Sequence, residues 1–538
     1  MITPLYKYHG GIHPAEEKSL TRSEPVLPVP DPAEVVISLN QGIGAVNRPL
    51  VAVGDHIKKG QRISECFHPL SAPVHAPCKG IVTAIEMRPF THPSGMDNLA
   101  IVIKSEPDND TDSVAAEPID LQQILNDLPA EDIVTRIRMA GVIGLGGAGF
   151  PTSTKIRTGT QARIKTLIIN GMECEPYITC DDRLMQESAD EIIRGIEVID
   201  HLLKPEEIMV GIEDNKPEAI MEMQKAAATS SSSIDIVTIP TLYPSGGEKQ
   251  LIKILTGQEV PSSGYAHDIS VLSQNVATAQ AIYHAILEKP LTHRLVTVTG
   301  DGVTRPGNYR VAIGTPIKTL LDNCLISDEP VEITVGGPMM GFKLQSPESS
   351  IIKTVNCLIV QKISSLPPRP EIRNCIRCGA CSDSCPASLL PQQLYWASQS
   401  RDFEKTGELH IFDCIECGCC DYVCPSNIPL VDYYRHAKGV LRSQQREKAK
   451  SEEARKRHEF RDDRLLREKE EKAKKLAKKR AALKAKKSRG SEQESDDNSK
   501  KEAIRAAIER TKAKKLANSN SENSQPTDKK DGADNGQS

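Results

Sequence analysis

Apolar residues in the first hundred positions come as short β-branched runs. VVISL, LVAV, GIVTAIE and LAIVI lie between Ala33 and about Lys104, separated by the turn signals VGDHIKKG and APCKG. That pattern predicts a small all-β unit. Residues 1 to about 30 are Pro-rich and irregular, and SEPDNDTDSVAAEP (105–118) reads as an acidic, polar linker. From Leu121 the period changes to that of a helix. Leu121, Ile124, Leu125 and Leu128 share one face, and Ile133, Ile137 and Ala140 share another. A glycine-rich loop follows at 144–149.

Buried-strand and amphipathic-helix patterns then alternate. KTLIING predicts a strand, LMQESADEIIRGIEVIDHLL one long helix, and IMVGIE a second strand. KPEAIMEMQKAAA predicts a helix, IDIVTIP a third strand, and GGEKQLIKILTG a helix opening on two glycines. Such alternation implies a parallel sheet with helices on its faces. From Arg294 to Leu344, the strands LVTVTG, RVAI and VEITV with the helix IKTLLDNCL suggest a compact α+β module. SSLPPRP (364–370) is a proline linker into a cysteine-rich domain ending near Leu441. Beyond it the chain is first Lys/Arg/Glu/Ala/Leu-rich and helix-favouring, and its end (519–538) is disordered by composition.

At 538 residues with 38% hydrophobic and 26% charged positions, the chain has room for three or four domains. No window approaches the ~18 consecutive apolar residues needed to cross a bilayer. The start, MITPLYKYHGG, lacks a basic-then-apolar signal pattern, so a cytoplasmic chain that does not span a membrane is expected. The net charge of −4 hides a division. From Leu441 on there are 30 Lys and Arg against 19 Asp and Glu, whereas the preceding 440 residues carry 38 against 53. An acidic body argues against nucleic-acid binding, which needs clustered cations.

Nine of the fifteen cysteines fall between Cys375 and Cys424. In a reducing compartment such a cluster points to metal ligation rather than disulfides. Cys375, Cys378, Cys381 and Cys385-Pro386 form one run, and Cys414, Cys417, Cys420 and Cys424-Pro425 repeat it. Two consecutive runs with this spacing are the bacterial two-cluster ferredoxin pattern, in which the fourth cysteine ligates the other cluster. One 4Fe-4S cluster then takes Cys375, Cys378, Cys381 and Cys424. The second takes Cys414, Cys417, Cys420 and Cys385, with Cys419 left over. Structural zinc sites instead split their ligands into two separated pairs.

Gly144-Leu145-Gly146-Gly147-Ala148-Gly149-Phe150-Pro151 holds a G-x-G-x-x-G spacing, but the residues before it, EDIVTRIRMA, look helical. An ordinary dinucleotide fingerprint follows a strand, so that reading fails. The longer string GLGGAGFPTSTK, ending at Lys155, resembles the glycine-rich loop of the NADH-binding flavoprotein subunit of respiratory complex I. Asn170-Gly171-Met172-Glu173-Cys174-Glu175-Pro176 with Asp182-Arg183, Tyr243-Pro244-Ser245-Gly246-Gly247-Glu248 and Asn275-Val276-Ala277-Thr278 resemble its later motifs, in the same order. The resemblance implies FMN, with NADH as its electron partner. Gly144, Gly146, Gly147 and Gly149 would let backbone amides approach a phosphate and a planar ring, and Lys155 would neutralise the phosphate. Phe150 would stack on the nicotinamide or adenine. Glu173, Glu175 and Glu248 would bond ribose and ring edges, while Asn170 belongs to the same site and Asn275 would lie against the flavin. Met172 and Gly247 depart from that family's acids, which bears on nucleotide affinity.

The wider order narrows the resemblance. GGIHPAEEK (Gly10 to Lys18), a β module, the flavoprotein core, TGDGVTRPGNY, GGPMMGF, twin cluster motifs and a Lys/Ala-rich tail occur in sequence. This is similar to the family of C subunits of the ion-translocating Rnf (Rsx) electron-transport complex. The resemblance implies a multidomain α/β and α+β chain. Its parts would be a barrel-sandwich-hybrid β module (1–118), a Rossmann-like FMN/NADH domain (119–257), a β-grasp ligand-binding module (258–350), a ferredoxin-type domain with two 4Fe-4S clusters (364–440) and a helical and disordered tail (441–538). It further implies a peripheral subunit on the cytoplasmic side of the inner membrane. That subunit would take electrons from NADH through FMN and the clusters to other subunits, coupled to ferredoxin and ion translocation. The alternative is a cluster-only electron-transfer and scaffold subunit without a working FMN/NADH site. A soluble flavin dehydrogenase acting alone is disfavoured, because no small-substrate catalytic base is visible.

Other signals carry less. Cys66, His68, His75 and Cys78 are zinc-capable types in a hairpin-like stretch that has no lipoyl or biotin carrier lysine. Cys174 and Cys180 flank the flavin motif and read as small core residues or as redox-active thiols; Cys324 and Cys357 read as core. The basic tail reads as a solvated charge run, as a contact for anionic lipid or an acidic partner, or as a nucleic-acid contact.

Overall fold

β-Branched residues every second position close the N-terminal unit. In the computed structural model, which describes residues 4–107, 120–147, 149–368, 370–488 and 497–519, β1 (Leu27–Pro28) is followed by β2 (Glu34–Ser38), β3 (Arg48–Pro49), β4 (His56–Ile57), β5 (Ser64–Glu65), β6 (Gly80–Pro89) and β7 (Asp97–Ser105). Strands β2, β7, β6 and β4 form an antiparallel sheet in that order, and β3 pairs with β5. Val35, Ile37, Ile57, Ile63, Val74, Ile101 and Ile103 make its core. Residues 108–118 of the expected linker, and the polar end beyond Ser519, lie outside the described residues. The chain divides into two units, one through Arg442 and one from Ser443 onward.

Helices α1 (Leu121–Asp127), α2 (Ala130–Met139) and α3 (Thr152–Ala162) lead into a four-stranded parallel sheet. Its strands are β8 (Thr166–Gly171), β9 (Glu207–Glu213), β10 (Asp235–Ile239) and β11 (Val271–Asn275), ordered β10-β9-β8-β11. The helix expected as one element around 184–203 is two, α4 (Cys180–Glu187) and α5 (Ala189–Leu203), broken at Ser188 (φ −136°, ψ 32°). Leu184, Met185, Ala189, Ile192, Ile193 and Ile196 are buried on both sides of the break, so the apolar period runs through it. Asp190 and Glu191 favour a fresh helix N-terminus there. Helices α6 (Pro217–Ala227) and α7 (Glu248–Thr256) complete the crossovers, and α8 (Val276–Ile286) packs on α5. That packing requires Gly195: a Cβ there would lie 1.8 Å from the Ala279 carbonyl oxygen.

The residues expected in a β-grasp module at 258–350 divide. Strand β11 and helix α8 belong to the parallel sheet. The second sheet is built from β12 (His293–Thr299), β13 (Gly307–Ala312), β14 (Val331–Val335), β15 (Phe342–Lys343) and β16 (Cys357–Lys362), with α9 (Ile317–Asn323) and the distant β1. Cys324 and Cys357 are fully buried in it, as their core reading expects.

One buried cation ties these parts together. Lys353 Nζ donates to the carbonyls of Pro73, in the β unit, and Gly141, just after α2, both at 2.7 Å. Burial lowers its pKa from the ordinary 10.5 to about 7. The unfolded chain therefore holds this proton over a window in which the folded chain has lost it, and stability rises with pH from about 7 to about 10.5. In denaturant titrations across this window, the stability of the wild type relative to Lys353→Met is expected to increase with pH; a pH-independent difference would contradict the assignment.

Candidate cofactor sites

The parallel sheet reverses its winding between β8 and β11: the chain moves outward through β9 and β10, then returns on the other side of β8. Open α/β sheets bind ligands at such a switch point, beyond the carboxyl ends of the strands. Asn170 and Asn275 are paired there across the two strands. Asn170 Nδ2 donates to the Gly246 carbonyl (2.8 Å) and its Oδ1 accepts from the Met172 amide (3.1 Å). Asn275 Oδ1 caps α8 through the Ala277 amide (2.9 Å), while its Nδ2 donates to Asp181 Oδ2 (2.6 Å).

The glycine loop reaches the same crevice. It is closed by Gly144 N–H to the Phe150 carbonyl (2.7 Å), by Gly149 N–H to the Gly144 carbonyl (3.2 Å), and by Leu145 N–H to Thr278 Oγ1 (2.9 Å). A Cβ on Gly146 would stand 3.3 Å from that of Asn275. Gly147, at φ +111°, has nothing within 4 Å of the position a Cβ would take, so backbone lies bare to an incoming group. Half-buried Phe150 precedes α3. In the first turn of α3, Lys155 pairs with Glu248 at 2.6 Å, the residue that opens α7 just after Gly246. Bare backbone, a nearby ammonium group and two strand-end amides suit a planar, phosphate-bearing group such as FMN.

Glu173 and Glu175 sit beside this crevice with their carboxylates already bonded. Glu173 takes the Asp181 amide (2.7 Å) and the Asp182 amide (3.2 Å), capping α4, and burial raises its pKa. Glu175 Oε1 takes the amides of Met339 and Met340 (2.8 and 2.9 Å), within the GGPMMGF stretch. The two departures from the complex I pattern also have local roles. Met172 is fully buried among Ile168, Met209 and Leu251. Gly247 caps α7 where a Cβ would come 2.5 Å from Gln250 Oε1.

Sequence reasoning missed two buried lysines. Lys18 Nζ donates to the carbonyls of Glu173, Glu175 and Ile178 (2.8, 3.1 and 2.5 Å). Lys216 Nζ bonds the Met172 carbonyl (2.9 Å), Asn215 Oδ1 (3.0 Å) and Glu213. Sequence reasoning also passed over Asp181, beside Asp182; Asp181 Oδ2 accepts from Asn275. Lys18 stands in the quoted GGIHPAEEK string, but one lysine in a polar run has no periodicity to mark it.

The cysteine runs fold as two copies of one turn. Arg377 and Glu416 (φ +58° and +59°), then Gly379 and Gly418 (+84° and +78°), then Ser388 and Asn427 (both +52°), are left-handed at equivalent positions. Each glycine opens a single helical turn, α10 (Ala380–Asp383) or, after α11 (Pro391–Gln399) and α12 (Phe403–Glu408), α13 (Cys419–Tyr422), that carries the third cysteine of its run. Two cavities result. Cys375, Cys378, Cys381 and Cys424 line one; Cys385, Cys414, Cys417 and Cys420 line the other, with Cys419 beside them. Four thiols per cavity, three from one tight turn, match the donor set of a cubane cluster. Burial pushes the Cys414 thiol up to about 11, so a metal must displace its proton to bind.

The second cavity abuts the crevice loops. Tyr243 Oη donates to the Cys417 carbonyl (2.7 Å), and Tyr243, Ile12, Cys417 and Cys419 are buried together against Cys174. Cys174 Sγ in turn accepts the Gly246 amide at 3.3 Å. The N-terminal segment braces this junction through Gly11 N–H to the Ser384 carbonyl and the Ile12–Tyr243 bridge. The first cavity is more open, with Cys378 exposed and Trp396 at its rim. Among the described residues, Cys66, His68, His75 and Cys78 do not gather as metal ligands. Cys66 accepts from Arg138, and His68 Nδ1 accepts the Leu70 amide.

Four family models match the chain in order. They are the RnfC barrel sandwich hybrid domain (6–109), the Nuo51 FMN-binding domain (137–284), the SLBB domain (295–343) and a 4Fe-4S dicluster domain (374–428). Curated relatives named as the C subunit of an ion-translocating oxidoreductase complex are similar over most of this chain. The one from Klebsiella pneumoniae (strain 342) is 46% identical over 468 residues, covering 86% of this chain and 61% of the relative. That from Pectobacterium carotovorum subsp. carotovorum (strain PC1) is 45% identical over 471 residues, with the same coverages. That from Pectobacterium atrosepticum (strain SCRI 1043) is 43% identical over 517 residues, covering 95% and 71%. The chain thus spans 61% of the length of the first two. Among solved structures, an NAD+-reducing NiFe-hydrogenase in the air-oxidized state aligns at 18% identity and a TM-score of 0.41, over 56% of this chain and 64% of that one.

Proposed function

The chain belongs to the RnfC family of ion-translocating oxidoreductase complexes, and from that premise we propose that it is a peripheral electron-transfer subunit of such a complex. In this reading FMN occupies the crevice between β8 and β11 and exchanges electrons with NADH. Two 4Fe-4S clusters occupy the cysteine cavities, and electrons pass to other subunits, coupled to ferredoxin and ion translocation. No helix among the described residues is long and apolar enough to cross a membrane. A peripheral position on the cytoplasmic side of the inner membrane is part of the same proposal.

The observation that carries the reading is a continuous line of contacts from crevice to cysteine cavity. It runs from Asn170 to Gly246, from Gly246 to Cys174, and through Tyr243 to Cys417. Bound FMN would supply the conversion between paired and single electrons. The chain's own residues do the positioning: Gly147 leaves backbone bare, Gly146 lets the loop approach Asn275, Asn170 and Asn275 fix the strand ends, and Lys155 with Glu248 brings charge to the crevice. Each cysteine cavity offers four thiols to a cluster.

Anaerobic visible and EPR spectra of the purified chain, before and after NADH, test this. The expected result is bound flavin that bleaches with NADH while cluster signals grow. Gly147→Val, which crowds the bare backbone and strains a left-handed position, is expected to weaken flavin binding at least about tenfold without loss of iron. Intact clusters with no flavin and no response to NADH would instead leave the cluster-only reading.

A further inference from the structure

The second unit carries a surface of a different kind. Helix α14 (Leu430–Ser488) runs on past Arg442, and every described side chain from Ser443 to Ala485 is exposed. Its charges change character along its length. From Ser443 to Glu471 there are 10 Lys and Arg against 9 Asp and Glu, and several pair one helical turn apart, as Arg455–Glu459, Arg457–Glu453 and Arg464–Glu468 do. From Lys472 to Lys484 there are seven cations and no acid. No carboxylate stands within four positions of Lys478, Lys479, Arg480 or Lys484.

The apolar residues of this basic stretch are ordered too. At helical spacing, Ala473, Leu476, Ala477 and Leu483 share one stripe, Lys474, Lys475 and Lys478 fall away from it on the opposite side, and Lys472 and Lys479 border the leucines. Leu476 and Leu483 are 53% and 66% exposed, so their apolar surface is open to a partner. Arg480 and Lys484 lie along the apolar stripe, where their long stems lay hydrocarbon down and lift the charge to its edge. Seven cations with no acid to compete, three of them opposite a stripe that carries two exposed leucines and the others at its edges or along it with long stems, fit the headgroup layer of an anionic bilayer.

We propose that residues 472–484 bind a surface of anionic lipid headgroups. The proposal concerns the sign and order of charge on α14 and holds whether or not the crevice takes flavin. Cosedimentation of the full chain tests it, using vesicles of phosphatidylcholine alone or of equimolar phosphatidylcholine and phosphatidylglycerol, at low and high salt. The wild type is expected to sediment with the anionic vesicles only, and to be released by salt. Combining Lys474→Gln, Lys475→Gln, Lys478→Gln and Lys479→Gln keeps good helix formers on an exposed face, so helicity and cluster absorbance should not change. That variant is expected to bind the anionic vesicles at least about tenfold more weakly. Wild-type indifference to anionic vesicles, equal binding by the variant, or tighter binding to duplex DNA at the same phosphate concentration would each overturn the proposal.

Discussion

Replacing Cys385 with alanine is expected to abolish the cluster that belongs to the second cysteine run and to spare the one that belongs to the first. Cys385 is the last thiol of the first run in sequence, yet it lines a cavity with Cys414, Cys417 and Cys420. Cys424, the last of the second run, lines the other with Cys375, Cys378 and Cys381. Cys385→Ala and Cys417→Ala should therefore leave the same residual EPR spectrum, and Cys424→Ala should match Cys378→Ala. In each, iron and acid-labile sulfide should fall from about eight to about four per chain. The opposite grouping, Cys385 with Cys378, would mean that each run holds its own metal and would dismantle the crossed assignment.

The same variants separate the nearer cluster from the farther one. The Cys385 cavity abuts Tyr243, Ile12 and Cys174, whereas the Cys378 cavity is the more open. NADH should still reduce iron in Cys378→Ala, where the inner cluster remains. It should fail to do so in Cys417→Ala, where only the outer one remains. Equal reduction in both would place the electron entry elsewhere.

How far the sequence could be read differs from site to site for physical reasons. The cysteine cavities were open to reading because ligand spacing within a tight turn is itself the chemistry. The parallel sheet was equally legible, since strands buried on both faces leave near-continuous apolar runs. Composition could not reveal that β11 returns beside β8, which draws residues from 258 onward into the flavin-type sheet and creates the switch point. Nor could it reveal β1, two residues in a proline-rich stretch that join a strand nearly three hundred positions away. Glu173 and Glu175 mark the right loop, but their carboxylates are taken by backbone amides. In sequence, a Glu that caps a helix looks the same as one that awaits a ribose. Lys18 and Lys353 were the least legible, because their partners are backbone carbonyls, and every residue has one.

Lys18 is where that invisible layer should matter most. Its Nζ holds three carbonyls of the loop that leaves β8, and within that loop Glu173 and Tyr177 stand in left-handed conformations (φ +43° and +69°). Such positions are strained for residues with a side chain and persist only when their surroundings impose them. Lys18→Met keeps the length and apolar stem but leaves the Glu173, Glu175 and Ile178 carbonyls without the ammonium. Stranding buried carbonyls in this way costs on the order of 3–5 kcal/mol. With the loop freed, Glu173 loses its hold on the Asp181 and Asp182 amides, and Asp181 its bond to Asn275, so the crevice loosens at its strand ends. Denaturant titration of the variant should show the parallel-sheet region destabilised by about that amount. Gel filtration should strip its flavin while iron content stays at the wild-type level, because Lys18 bonds no residue of either cysteine run. A variant that unfolds at the wild-type midpoint and keeps its flavin would mean the loop holds its shape without Lys18.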